Sequence, residues 1–287
     1  MAAKGDVPPE ETLNGPIESD EQGYDKFYKE FDSPISRQMR EEAYGEDIGQ
    51  HSWVTAEELR GDIPLLELTR TSRVLDLGCG PCGPLTFVVG LVGCQGIGAD
   101  VSAPAIAAGR ARVTALGLDD RVTLHEGDLN EPVPLAGGSC DAVMSLDVIL
   151  HLRDRAALFR EVARVMGPGG RFLLTDAGVV TGAISDEEVK RRAVHGYTQF
   201  VAPGLNEQML ERSGFRLIHS QDRTPGLLRS ARGRLAARRA HRAQLEERDG
   251  LSGRERQDIY LETVIALAER GAVSRMMYLV ESPLRGR

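Results

Sequence analysis

The sequence predicts a doubly wound α/β fold built on a mostly parallel sheet, and three observations carry that prediction. Short apolar runs alternate with helix-period runs from Arg73 to Thr175, the pattern of parallel strands joined by crossover helices. The first run, Val74-Leu-Asp-Leu-Gly-Cys-Gly-Pro-Cys-Gly83, opens into a glycine-rich turn, which is how a buried strand hands over to a helix. Carboxylates then recur at strand ends: Asp76, Asp100 and Asp128.

Taken in order, residues 1–22 are rich in Pro, Glu, Gly and Asp and are expected to form a disordered tail. Residues 23–70 read as an N-terminal helical cap. Tyr24, Phe27, Tyr28 and Phe31 recur at helical spacing, and Ile35 to Tyr44 is helical. Thr55 with Glu58 three residues later is a helix start. Residues 71–177 form the expected core, with strands at Arg73–Leu77, Gly96–Ala99, Val122–Glu126, Ala142–Ser145 and Arg171–Thr175. Between the last two, the helix from Arg155 to Met166 stops at Gly167-Pro-Gly-Gly. Residues 178–287 are expected to supply a lid, a helical insertion and closing strands. Gly178 to Leu205 is too long a connection for a compact sheet, Arg223 to Arg270 is mostly helical, and Phe215–His219 with Met276–Glu281 make a late strand pair at one edge.

Length and composition fit one large α/β domain with additions, or one domain plus a cap: 287 residues, 41% hydrophobic, 27% charged, net charge −8. That acidity argues against a polyanionic partner and suits a small-molecule enzyme. No apolar run approaches the roughly 20 residues of a membrane span, and the N-terminus lacks the apolar core of a secretory signal. Four cysteines, two of them inside the glycine turn, make no disulfide framework, so a reducing cytoplasm is the expected compartment.

Gly78, Gly80 and Gly83 satisfy G-x-G-x-x-G, a weak dinucleotide signal. Asp76 argues against that reading. A carboxylate just ahead of the turn repels a pyrophosphate, and Pro81 removes an N–H that would bind it. The same carboxylate suits a ligand carrying an ammonium and a sulfonium, as S-adenosylmethionine does. Asp100, about twenty residues past the glycines, is placed to accept both ribose hydroxyls. Asp128 is placed to accept from the adenine amine.

These anchors resemble the cofactor motifs of class I S-adenosylmethionine-dependent methyltransferases, over Arg73 to about Asp176. Ser145-Leu-Asp-Val-Ile-Leu-His-Leu152 is similar to the fourth-strand motif of phosphoethanolamine and glycine/sarcosine/dimethylglycine N-methyltransferases. Tyr44-Gly-Glu-Asp-Ile-Gly-Gln50 is similar to the segment that those enzymes fold over the donor. The resemblance implies a seven-stranded Rossmann-like sheet, with the donor across its carboxyl edge and the acceptor under an N-terminal and inserted cap. It implies donor contacts from Gln50, Asp76, Gly78, Cys79, Gly80, Asp100, Val101, Asp128, Leu129 and Ser145. In the phosphobase enzymes the histidine matching His151 pairs with an N-terminal tyrosine. Tyr24 and Tyr28 lie near that region, although direct alignment sets the family's tyrosine position nearer Asp32. A basic residue that contacts phosphate in those enzymes aligns with His195, beside Tyr197, which disfavours a phosphorylated acceptor.

His151 is expected at the active site, either as a base with Tyr24 and Tyr28 or as a core histidine bonded to backbone. Trp53 and Tyr197 are candidate acceptor contacts. Cys79-Gly-Pro-Cys82 lacks the further ligands zinc needs, so no metal is expected. The basic run Arg229 to Arg242 is the feature favouring nucleic acid. With Leu228, Leu235 and Leu245 as its apolar side, it reads instead as a solvated arginine face. The expected activity is methyl transfer to a small molecule, with nitrogen as the leading acceptor of secondary-metabolite type. Carbon methylation of a ring such as an indole, or oxygen methylation, follows. An RNA methyltransferase and a scaffold with a borrowed fold are the competing readings. The helical additions are equally suited to a lid and to a homodimer surface.

Overall fold

The computed structural model describes residues 20–194 and 196–283. Of the tail expected over residues 1–22, residues 1–19 lie outside the described residues, as does the His195 position, whereas Asp20–Gln22 open a helix. The N-terminal helices are α1 (Asp20–Lys29), α2 (Pro34–Tyr44) and α3 (Ala56–Asp62). Then come β1 (Arg73–Leu77), α4 (Gly83–Val92), β2 (Gln95–Asp100), α5 (Ala103–Ala115), β3 (Val122–Glu126), β4 (Cys140–Leu146) and α6 (Arg155–Val165). The chain continues through β5 (Met166–Val180), α7 (Asp186–Arg192), α8 (Leu205–Arg212), β6 (Arg216–Asp222), α9 (Thr224–Ala240), α10 (Arg242–Glu269) and β7 (Val273–Glu281).

The strands form one seven-stranded sheet in the order β3-β2-β1-β4-β5-β7-β6. All neighbours are parallel except β7, which runs antiparallel to both β5 and β6. The order reverses between β1 and β4, which sets the carboxyl ends of β1, β2 and β4 around a topological switch point. One apolar layer joins β1, α4 and α5 through Val74, Leu85, Val89 and Ile106. The other joins β1, β4 and α6 through Leu75, Val143, Phe159 and Val162. β1, exposed only at Arg73 and buried from Val74 to Leu77, is covered on both faces as a central parallel strand must be.

Two elements differ from expectation. β5 runs from Met166 to Val180, much longer than Arg171–Thr175, because β7 offers partners as far as Val179↔Ser274 and Val180↔Val273. The expected lid therefore begins as sheet, and Val179 also bridges to Val201. At Thr55 the side chain does accept from the Glu58 N–H. The Glu58 carboxylate, however, does not return the bond to close a capping box, because it receives Arg275 Nη1 at 2.6 Å.

That ion pair belongs to a buried network joining cap to sheet. Arg275, fully buried on β7, also donates from Nε to Asp147 Oδ1 at 2.8 Å. Asp147 Oδ1 takes the Thr175 hydroxyl at 2.8 Å, and Asp147 Oδ2 takes the Trp53 N–H at 2.9 Å. Burying an arginine requires such full engagement. Its pKa is pushed up by Asp147 and Glu58 even though burial acts in the opposite direction.

The cap gathers Trp53, Leu227, Ala231, Leu235, Tyr260, Leu261 and Val264 into its own apolar cluster. α10 is broken at Gly250, whose φ is 74°. Among the described residues no helix is long and apolar enough to cross a membrane.

Candidate active site at the carboxyl edge of the sheet

The glycine turn after β1 is held against β2. Gly78 and Cys79 N–H groups both bond to the Ala99 carbonyl, at 2.8 and 3.1 Å. Gly78 has φ +75° and a Cβ there would strike Val148 at 2.4 Å, so glycine is required. The segment Tyr44–Gln50 closes over the next turn. A Cβ at Gly83 would lie 2.2 Å from the Gly49 carbonyl oxygen, so the cap backbone sits directly on the N-terminus of α4.

Two carboxylates stand at this edge. Asp76 is only 2% exposed, and no hydrogen bond engages its carboxylate among the described residues. Burial, reinforced by Asp100, pushes its pKa up to about 8. Asp100 accepts the Gly80 N–H on Oδ2 at 2.8 Å and the Ser102 N–H on Oδ1 at 2.9 Å. Its pKa is raised by burial, opposed by those backbone bonds, with Asp25 adding repulsion. Asp25 reaches this spot because it accepts the Ser102 hydroxyl, which ties α1 to the start of α5. A buried, unpartnered carboxyl beside a second one fits a ligand that brings positive charge.

Other expected donor contacts are placed in different ways. Val101 and Leu129 are half-buried beside Asp100 and Asp128. Asp128 is exposed, and its Oδ1 takes both the N–H and the side-chain amide of Asn130 at 2.8 Å. Gln50 is buried with its amide spent on its own loop, accepting from Ile48 N and donating to the Glu46 carbonyl. Ser145 is fully buried, and its hydroxyl donates to the Leu77 carbonyl. Cys79 and Cys82 are free thiols, with sulfurs 3.5 Å apart.

The second half of the site is built around His151. Asp147 turns the chain with φ +61°, and the short 3-10 turn Ile149–His151 follows. His151 Nε2 lies 2.8 Å from the Tyr24 hydroxyl and Nδ1 lies 3.0 Å from the Tyr197 carbonyl. A carbonyl only accepts, so Nδ1 carries a proton, and in the neutral ring Nε2 accepts from Tyr24. The Tyr197 segment is fixed by Gln199 N–H donating to the Leu150 carbonyl and by Arg155, which is ion-paired to Asp176 in the core. Tyr197 thus meets His151 through its backbone. Tyr28 does not reach His151. Its hydroxyl stands over Gly80, 3.2 Å from where a Cβ would be, and its ring stacks 6.0 Å from Tyr24. His51, which sequence reasoning missed, packs 4.0 Å from Phe27 and edge-on to Tyr24 and Tyr28. Asp32, where direct alignment pointed, is occupied with Arg40 and Arg112.

Trp53 is buried in the cap cluster and stacks on Tyr260. The basic run is not a simple solvated face. Arg232, Arg238 and Arg239 pair with Glu269, Asp258 and Glu262 of α10, which neutralises much of the charge an RNA backbone would need.

The sheet of this topology thus carries acidic residues at the ends of β1 and β2 with a glycine turn between them. Residues 75–174 match the family model described as a methyltransferase domain. The proteins that the chain resembles include named methyltransferases. It is 32% identical over 163 residues to methyltransferase GfsG of Streptomyces halstedii, covering 55% of this chain and 57% of that protein. It is 27% identical over 213 residues to phosphoethanolamine N-methyltransferase 1 of Triticum aestivum, covering 74% and 41%. The chain thus spans about half the length of the curated relatives it matches. In fold it is similar to phosphoethanolamine N-methyltransferase 2 of Haemonchus contortus, solved with phosphomonomethylethanolamine and S-adenosylhomocysteine. That likeness has a TM-score of 0.77 at 20% identity and covers 94% of this chain and 61% of the other.

Donor binding is expected to release a proton. Free Asp76 keeps its proton up to about pH 8, whereas pairing with the donor's ammonium requires the carboxylate. Affinity therefore rises with pH toward 8. It falls again above that as the α-amino group, with pKa about 7.7–8.0, loses its charge. Calorimetry at pH 7 in buffers of different ionisation enthalpy should count close to one proton released, and Asp76→Asn should release none.

Proposed function

We propose that this protein methylates a nitrogen of a compact organic acceptor of secondary-metabolite type, by direct displacement at the donor's methyl group. The contact between His151 Nε2 and the Tyr24 hydroxyl carries the reading. When bound, S-adenosylmethionine supplies an electrophilic methyl on a sulfonium, so the protein must present a nucleophile with a free lone pair. A protonated amine is attracted to the rings of Tyr24, Phe27 and Tyr28. It gives up its proton through Tyr24 to His151, whose other nitrogen is anchored on the Tyr197 carbonyl and so cannot turn away. Asp76 and Asp100 would hold the ammonium and ribose of the donor.

The same base serves a hydroxyl acceptor, and the fixed Nδ1 proton favours that second reading because a hydroxyl depends more on proton removal. Methyl-labelled donor offered to matched amines, phenols and indoles separates the two. Label in the amines supports nitrogen transfer; label confined to phenols or indoles transfers the assignment to oxygen or carbon. Tight donor binding with no labelled amine, phenol or indole would refute this acceptor chemistry.

A further inference from the structure

The inward stripe of α9 runs through Leu227, Ser230, Ala231 and Leu235, all buried. Arg234 falls on this stripe, three residues after Ala231 and seven after Leu227, where helical spacing calls for a small or apolar side chain. α9 is held in register there. Ser230 donates to the Trp53 carbonyl at 2.8 Å, and Gly233 presses so close that a Cβ would lie 2.2 Å from the Ala43 carbonyl oxygen of α2. The half-buried Arg234 lays its guanidinium 4.8 Å from the centroid of the Trp53 ring. It is near enough to Tyr28 and Tyr44 for its charge to oppose the upward push of burial on both phenols.

Among the described residues no carboxylate lies within ion-pair distance of Arg234. The acids that could serve are taken. Asp258 is held by both Arg238 and Arg254, and Asp147 by Arg275, Thr175 and the Trp53 N–H. Its helix neighbours Arg232 and Arg239 have acidic partners. A guanidinium taken partly out of water and left unpaired is unfavourable, and stacking on an indole offsets only part of that. A stacked guanidinium still presents its donor fork edgewise, in the geometry that grips a carboxylate or phosphate with two bonds.

We propose that Arg234 recognises an anionic group, carboxylate or phosphate, on the methyl acceptor. Its charge acts on Tyr28, whose ring stacks on Tyr24, and the Tyr24 hydroxyl in turn contacts His151. The acceptor is therefore a molecule with its negative group at one end and the methylated atom at the other. This inference rests on the proposed acceptor site between cap and sheet.

Trp53 is the single tryptophan of the chain, so its fluorescence reports directly on the guanidinium stacked over it. The full chain, with and without S-adenosylhomocysteine, is titrated with sodium acetate, inorganic phosphate and, as the neutral control, acetamide, at constant ionic strength. A saturable change in indole emission with acetate or phosphate and none with acetamide is expected, the tighter anion naming the group. Arg234→Gln should weaken the response about tenfold or more. Arg234→Lys should keep a weaker one, and Arg232→Gln, exposed on the same helix, should match wild type. An unaltered response in Arg234→Gln, or none in wild type, overturns the proposal. So does loss of the response in Arg234→Lys and Arg234→Gln together with loss of folding by circular dichroism, since the arginine would then be structural. Calorimetry of S-adenosylmethionine on the same samples reads the donor site separately, so a failed donor site and a failed anion site are told apart.

Discussion

Replacing Asp100 with alanine weakens S-adenosylmethionine binding by at least about a hundredfold. An ionised carboxylate offers about four lone-pair positions. In the structure two are taken by the Gly80 and Ser102 N–H groups, leaving one on each oxygen. That is the geometry for two neighbouring ribose hydroxyls. Losing two hydrogen bonds to a charged group costs about 1.5–3 kcal/mol each, and each 1.4 kcal/mol is about tenfold. Removing the carboxylate also releases the Gly80 N–H, so the turn relaxes. Asp100→Asn keeps one acceptor oxygen and should fall between the two. Calorimetric titration of the three proteins measures the series, with thermal denaturation to show that each is folded. An alanine variant that binds as tightly as wild type would place the ribose somewhere else.

His151→Ala lowers kcat by about 10²–10⁴ while leaving donor affinity unchanged, the usual span for a lost general base. Donor affinity is spared because His151 contacts Tyr24 and the Tyr197 backbone, not Asp76 or Asp100. Tyr24→Phe keeps the ring against Tyr28 but breaks the link to Nε2, so it should reduce kcat in the same direction. The double variant should be little worse than His151→Ala, since residues acting as one unit are not additive. Single-turnover rates with preformed donor complex read this without interference from binding. Unchanged single-turnover rates in His151→Ala would mean that the acceptor's proton leaves by another route.

Much of the core was legible because its signals are local. Strands such as β1 and β2 are short and punctuated by glycine or an acid, and β1 was read to its observed bounds, Arg73–Leu77. β5 was not, because Gly167-Pro-Gly-Gly reads as a loop and the strand's length is set by β7, a hundred residues on. The site divides in the same way. Asp76 and Asp100 announce themselves by position at the end of a strand. The Tyr24–His151 contact spans 127 residues, and no spacing rule connects the two; the family pattern suggested a tyrosine but set it near Asp32. Arg275 stands inside an apolar run, Val273-Ser-Arg-Met-Met-Tyr-Leu-Val280, but was not singled out. Its partners Asp147 and Glu58 lie 128 and 217 residues away. His51 carried no signal beyond standing next to Gln50. Arg234 was hidden among other arginines, and only the helix phase separates it from Arg232 and Arg239.

The Glu58–Arg275–Asp147 network also orders events during synthesis. Its arginine is carried by β7, the last strand in chain order, while its acids emerge from the ribosome far earlier. Contacts across such sequence separations are slow to close. Until β7 slots between β5 and β6, Glu58 and Asp147 lack Arg275, and α3 docks only through its apolar residues such as Ala56 and Leu59. A nascent chain can therefore assemble β1 to β4 with its glycine turn well before the roof over that turn is secured. The buried charge network closes in one late step, when β7 enters the sheet and fastens α3 in place.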